Sequence, residues 1–225
     1  MRYNVSVIKV KICGITNVPD ALTAISYGAD AVGFLVGQVH FSTGFFITPE
    51  EAQSLVRRLP PLCSSVLVTH LSRPEEIIAI AQETCVNTVQ LHGDTTPEEA
   101  YQIKERLPYL KTYKVIHVFD EKAIDEAKSY EQCADGLILD TAIKETEQVG
   151  GTGKTHDWNI SRKLVESVHL PVVLAGGLNP VNVVEAIKTV RPYAVDVLSG
   201  VSNKDGTKDH IKLESFISQA KLCAN

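Results

Sequence analysis

An α/β fold, a single (β/α)8 TIM barrel over residues 1–225, is predicted by three observations on the sequence. Eight short runs of aliphatic and β-branched residues recur, each followed by an amphipathic helical pattern. The runs are mostly continuous in apolarity, as strands buried on both faces of a parallel sheet are. No Pro/Gly/Ser-rich linker divides the 225 residues, and a 44% hydrophobic composition supplies one large core. An open doubly wound sheet is the structural alternative, favoured if two weaker runs are misread.

The first run, VKICGI at 10–15, ends in a thiol and a glycine; AVGFLV at 31–36 is the second. TPEEA at 48–52 then opens a helix, with Thr at the N-cap, Pro at the first helical position and carboxylates in the first turn. After SSVLVTH at 64–70, RPEEI at 73–77 carries the same Pro and carboxylates, with Ser72 as the expected cap. NTVQLHG at 87–93 precedes a second TPEEA at 96–100, and TYKVIHV at 112–118 precedes DEKAIDEA from Asp120. DGLILDT at 135–141 is sixth. PVVLAGG at 171–177 leads into NPVNVVEAI from Asn179, and AVDVLSG at 194–200 closes the series.

Barrels of this kind keep their active sites at the C-terminal strand ends. Cys13, His92, Asp140 and Asp196 stand at four of those ends. Gly176, Gly177, Ser199 and Gly200 follow the last two runs, where barrels bind phosphate with backbone amides and a short helix N-terminus. Glycine there lets the main chain approach an anion without a Cβ between them. Either pair alone reads as a tight turn; two at this location point to phosphate. GGTGKT at 150–155 fails as a P-loop, because the motif needs glycine where Gln148 stands and the run lies well beyond its strand. It is read instead as a mobile loop covering the site.

Composition narrows the function classes. Lys and Arg number 22 against 27 Asp and Glu, a net charge of -5, so no basic footprint suggests a nucleic-acid partner. An anionic substrate then depends on local amides and dipoles rather than on the overall field. Cysteines 13, 63, 85, 133 and 223 are scattered and never spaced C-x-x-C, which argues against a zinc site or a disulfide framework and for a reducing compartment. The first apolar run is short and broken by Lys9 and Lys11, and no stretch reaches the ~18 apolar residues of a membrane span. A cytoplasmic location and no membrane partner are expected.

In combination, KICGIT, QLHGD, LDT followed by GGTGKT and DW, LAGGLNP, and VRPY with VDV and SGV occur in an order that resembles the phosphoribosylanthranilate isomerase family of tryptophan biosynthesis. The similarity runs from about Lys11 to Val201. It implies an Amadori rearrangement of N-(5-phosphoribosyl)anthranilate to 1-(2-carboxyphenylamino)-1-deoxyribulose 5-phosphate. It implies Cys13 as the general base that removes the C2′ proton and Asp140 as the general acid that protonates the furanose oxygen. Asp196 falls on a family position at the site, where it orients other groups or is simply a satisfied buried carboxylate. His92 reads equally as a substrate neighbour or a hydrogen-bonded rim histidine. Cys63, Cys85, Cys133 and Cys223 match no family motif and are expected to be structural.

An acid and a base in one pocket need pKa values moved in opposite directions. A thiol near ~8.5 needs only modest help, such as a helix N-terminus, to supply thiolate. A carboxyl near ~3.9 must be raised, and burial against GLIL would do that. Taken singly, a strand cysteine is usually packing and a strand-end aspartate a cap. Proton shuttling requires no metal and no organic cofactor. The expected partner is a small phosphorylated aminosugar, and the chain is expected to be a monomer or homodimer.

The segment from Gly37 to Ala52 departs from the family pattern. The family's arginine there can pair with the anthranilate carboxylate, but this segment has no Arg or Lys, and His40 is its only basic side chain. LVTH stands where the family often has FVN, VDVLSGVS replaces VDVSSGVE, and His156 replaces an aromatic residue before DW and is assigned no role. Three readings stay open: His40 or a rim side chain binds the carboxylate, the enzyme is a slower isomerase, or it takes a different phosphoribosyl amine against Phe41, Phe45 and Phe46. A non-catalytic phosphosugar-binding barrel is a further alternative. A histidine-pathway isomerase is disfavoured, because Cys13 stands where that class has aspartate and no second glycine pair follows strands three and four.

Overall fold

The computed structural model describes residues 7–37, 44–143, 148–149 and 155–223. Eight of its strands are parallel: β1 (Lys9–Ile12), β2 (Ala31–Leu35), β3 (Ser64–Thr69), β4 (Thr88–Leu91), β5 (Lys111–His117), β6 (Gly136–Asp140), β7 (Val172–Leu174) and β8 (Ala194–Val197). They close into a barrel in the order β1-β8-β7-β6-β5-β4-β3-β2. The predicted (β/α)8 barrel is the fold, and the open-sheet alternative fails because β1 pairs with both β2 and β8.

The helices are α1 (Val18–Ser26), α2 (Pro49–Val56), α3 (Pro74–Thr84), α4 (Pro97–Arg106), α5 (Lys122–Ser129), α6 (Trp158–Ser167), α7 (Val183–Val190) and α8 (His210–Leu222). Thr48 and Thr96 cap α2 and α4 with reciprocal boxes to Glu51 and Glu99, as the two TPEEA segments predict. Ser72 is not the cap of α3: Arg73 takes that position and makes no side-chain cap bond. The chain also turns before α7, where the Asn179 and Asn182 side chains exchange bonds with each other's backbone N–H and the helix begins at Val183. The last run is shorter than predicted. β8 stops at Val197, and Ser199–Val201 form a 3-10 turn. A two-stranded ribbon, Ala142–Ile143 with Gln148–Val149, lies beyond β6.

Alternation along each strand divides the apolar residues between two places. Val10, Ile12, Val32, Phe34, Leu67, Leu91, Ile116, Leu137, Leu139, Leu174 and Val197 pack with helix residues such as Ala24, Ile77, Ile103 and Phe216 in one cluster around the barrel. The intervening positions face inward. Val115, Ile138, Val173, Ala175 and Ala194 fill one part of the interior, and Cys13, Leu35, Val66 and Val68 another. The same alternation brings Lys11, Asp140 and Asp196 inside.

Candidate active site

Cys13 follows β1 directly, and its N–H donates to Val197 O at 2.9 Å, which fixes the strand tip against β8. Its side chain is 5% exposed and sits over Gly33, where a Cβ would lie 3.1 Å from the Cys13 Sγ and 3.2 Å from the Lys11 Cε. Gly33 therefore keeps open the floor on which thiol and ammonium meet. The expected help from a helix N-terminus is replaced by lysine. Burial pushes the thiol above its ordinary value, the Lys11 ammonium pulls it down, Asp196 pushes it up, and Lys208 pulls it down again. The net direction is upward.

Lys11 and Asp196 are register partners across β1 and β8. The Lys11 Nζ donates to Asp196 Oδ2 at 2.7 Å, with both side chains almost fully buried. Burial alone would lower the lysine, but the charges of Asp196 and Cys13 outweigh it and leave it above the ordinary value. Asp196 is thus a buried, paired carboxylate with a second oxygen, Oδ1, that has no hydrogen-bond partner among the described residues.

Asp140 ends β6 and is 8% exposed. Burial pushes its carboxyl up from 3.8 to about 7, with the Asp196 charge adding to the rise; the Thr141 N–H, donating to Oδ1 at 2.7 Å, and the Lys11 charge oppose it. Lys11 and Asp196 act on both Cys13 and Asp140. Cys13 and Asp140 thus each stand at a buried strand tip, and each feels the charges of Lys11 and Asp196.

His92 stands at the tip of β4, with Nε2 3.7 Å from Asp140 Oδ2 and Nδ1 3.4 Å from Gln90 Nε2. His70 and His117 flank it, at ring-centroid distances of 4.3 and 5.6 Å. Burial holds His92 well below the ordinary imidazole value, its two histidine neighbours add to that, and burial brings His117 to about 4. The imidazoles are neutral at pH 7.

Gly176 and Gly177 follow β7 in the left-handed backbone region, at φ +80 and +69°. A Cβ on Gly176 would lie 2.3 Å from Thr141 Oγ1 and 3.0 Å from Asp140 Oδ1, so the loop presses against the tip of β6. A Cβ on Gly200 would lie 2.0 Å from Leu178 O. The loops after β7 and β8 are in main-chain contact, a geometry open only to glycine.

Cys13, Asp140, Asp196, His92 and the small residues Gly176, Gly177, Ser199 and Gly200 are singled out in the sequence by their strand-end positions. Lys11 and Lys208 are not among them, yet both are buried beside Cys13. Lys208 is 3% exposed; its Nζ donates to Cys13 O at 2.6 Å and to Ser202 Oγ at 2.9 Å, while its N–H donates to Asp20 Oδ2 at 2.9 Å. Burial brings its ammonium down to about 8. A lysine inside a strand buried on both faces is a signal that was available for Lys11; Lys208 lies 195 residues from Cys13 and gives none. His156 does have a structural role, with Nδ1 2.9 Å from Thr141 Oγ1 and Nε2 2.6 Å from Ser161 Oγ, tying the β6 tip to α6. His40, Phe41 and the GGTGKT loop up to Lys154 lie outside the described residues. Among the described residues no group of three or more His, Cys, Asp or Glu is placed to hold a metal ion, and no helix is long and apolar enough to cross a membrane.

Residues 10–219 match the family model of N-(5′-phosphoribosyl)anthranilate (PRA) isomerase. The chain is 45% identical over 213 residues to N-(5′-phosphoribosyl)anthranilate isomerase 2 of Methanosarcina mazei, covering 95% of this chain and 94% of that one. It superposes on phosphoribosyl anthranilate isomerase from Thermotoga maritima with TM-score 0.82 and 39% identity, covering 95% of this chain and 98% of that one. A crystal structure of such an isomerase in complex with reduced 1-(O-carboxyphenylamino)-1-deoxyribulose 5-phosphate superposes with TM-score 0.78 and 37% identity, over 95% of this chain and 98% of the other.

Proposed function

We propose, on the premise that this chain belongs to the N-(5′-phosphoribosyl)anthranilate isomerase family, that it rearranges N-(5′-phosphoribosyl)anthranilate to 1-(2-carboxyphenylamino)-1-deoxyribulose 5-phosphate. The observation that carries the reading is that Cys13 and Asp140 are buried at the C-terminal tips of two barrel strands, with the Lys11–Asp196 ion pair in the barrel interior. The reading takes the chain as one barrel domain and places a reaction that moves only protons in the cytoplasm.

Asp140, with a carboxyl near pH 7, keeps a proton to give at neutral pH. It delivers that proton to the furanose oxygen as the C1′–O bond breaks, and the anilino nitrogen supplies the electron pair that makes an iminium. Cys13 as thiolate then takes the C2′ proton, and the C–H electron pair forms C1′=C2′ and neutralises the iminium. The resulting enolamine gains a proton at C1′ and loses one from the C2′ hydroxyl, which leaves the ketose. Lys11 stabilises the thiolate beside it, and Asp196 holds Lys11 in place. The substrate phosphate is held by main-chain amides around Gly176, Gly177, Ser199 and Gly200, where Gly200 brings the two loops together. His92, beside Asp140, faces the reacting sugar.

Turnover of N-(5′-phosphoribosyl)anthranilate, followed by the loss of its fluorescence, is the test. Native protein should convert it, while Cys13→Ala and Asp140→Asn should lose about 10²-fold or more in kcat and still bind phosphate. Near-native rates in either variant would remove that residue from the chemistry.

A further inference from the structure

We infer that His70 and His117, the imidazoles on either side of His92, hold the aromatic carboxylate of the substrate; the inference rests on the isomerase reading above. Strand order around the barrel says where that carboxylate lies. The loops after β7 and β8 stand between β1 and β6 in the order β1-β8-β7-β6, so the phosphate end sits between the tips that carry Cys13 and Asp140. An aglycone on the far side of those two residues meets the remaining arc, β2 to β5. Three histidines occupy that arc, one each at the tips of β3, β4 and β5.

A carboxylate leaving water needs N–H donors to replace its hydration. The buried lysines around this mouth are already committed: Lys11 to Asp196, Lys208 to the Cys13 carbonyl and Ser202, and Lys114 to the Gly93 carbonyl at 2.6 Å. Lys144 and Lys154 lie outside the described residues. The imidazoles are different. His70 Nδ1, His117 Nδ1 and His92 Nε2 are buried ring nitrogens with no hydrogen-bond partner among the described residues. Buried polar atoms in that state call for a partner that the fold does not supply.

His92 is the least free of the three, since its two nitrogens face Asp140 and Gln90. His70 and His117 remain. A neutral imidazole presents one N–H, enough for a charge-assisted bond to one carboxylate oxygen. Phe46, with its ring centroid 6.4 Å from that of His70, adds an apolar face beside which an aromatic ring fits.

The experiment compares the native protein with His70→Leu, His117→Leu and His70→Asn, using two substrates. One is N-(5′-phosphoribosyl)anthranilate and the other is the phosphoribosyl amine of aniline, which lacks the carboxylate. With the first substrate, each Leu variant should raise KM at least about fivefold and leave kcat within about twofold, the mark of lost uniform binding. His70→Asn, which keeps an N–H donor near the Nδ1 position, should restore most of the native KM. With the aniline compound, all four proteins should share one KM within about twofold. An unchanged KM for the anthranilate compound in both Leu variants overturns the inference. So does an equal rise with both substrates, which assigns the histidines to the shape of the pocket. Native protein that turns over neither compound overturns the isomerase reading, and this inference with it.

Discussion

Asp140 carries two consequences that pull in opposite directions. Its carboxyl is raised from 3.8 to about 7, so above that pH the folded protein holds an ionised carboxylate that the unfolded chain would solvate better. Because the folded pKa is the higher, folding favours the protonated form. Stability is full below about 4, declines as pH rises towards about 7, and stays at its reduced level above. Asp140→Asn removes that dependence while keeping an acceptor for the Thr141 N–H. Thermal unfolding should show the variant gaining on native protein through this window, by up to about 4 kcal/mol at pH 8, while losing turnover. A variant no more stable than native at pH 8 would mean the carboxyl is not raised. The rate has its own signature. On the proposed mechanism turnover needs the carboxyl protonated and the thiol ionised, yet the carboxyl titrates at about 7 and the thiol above 9.0. Below about 7, each unit of pH costs thiolate, so kcat/KM climbs. Between the two values thiolate is gained as fast as acid is lost, which gives a plateau that ends when the thiol titrates. In Asp140→Asn the residual rate should keep rising through the native plateau.

Among the elements, the strand tips and the loops after them differ in how much of their geometry is local. The capping boxes at Thr48 and Thr96 lie within four residues and are legible in TPEEA. RPEEI has the same Pro and carboxylates, but Arg73 comes where a capping hydroxyl would be, so α3 starts without a side-chain cap. The Gly176-Gly177 and Ser199-Gly200 pairs are also legible, since their place after the seventh and eighth runs suggests phosphate. Their mutual contact is not, because Leu178 and Gly200 meet only when β7 and β8 pair. Gly200→Ala would drive a Cβ to 2.0 Å from the Leu178 carbonyl, and neither main chain can yield without parting the two loops. Denaturant unfolding should show a loss of about 2 kcal/mol or more, and calorimetry a loss of inorganic phosphate affinity. A fully stable variant with native phosphate affinity would rule out the close approach.

At the scale of the whole molecule, closure depends on β8, which pairs with both β1 and β7 and carries Asp196 and the 3-10 turn at Ser199–Val201. A phosphate held across the loops after β7 and β8 bridges the strands that complete the ring. Binding to the folded state alone stabilises it by mass action, so inorganic phosphate at tenfold its dissociation constant should raise Tm by about 3 °C or more. Sulfate should act similarly and chloride at equal ionic strength should not. If chloride matches phosphate, the effect is general screening rather than a site. The net charge of -5 makes this contrast useful, because no global positive field gathers anions.

The amino-acid sequence by itself determined the barrel, the placing of Cys13 and Asp140 on strand tips, and the small-residue turns near the end of the chain. Each depends on periodicity, spacing or order within a few tens of residues, where strand and helix patterns are strong. The folded structure decided the rest: that Lys11 is neutralised by Asp196 across 185 residues, that Lys208 is bonded to the Cys13 carbonyl across 195, and that three histidines from separate runs meet in tilted ring contacts. It also set the ionisation of the thiol and the carboxyl. Desolvation and Coulomb interaction depend on distance through space, and closing a ring of strands brings its first and last members side by side.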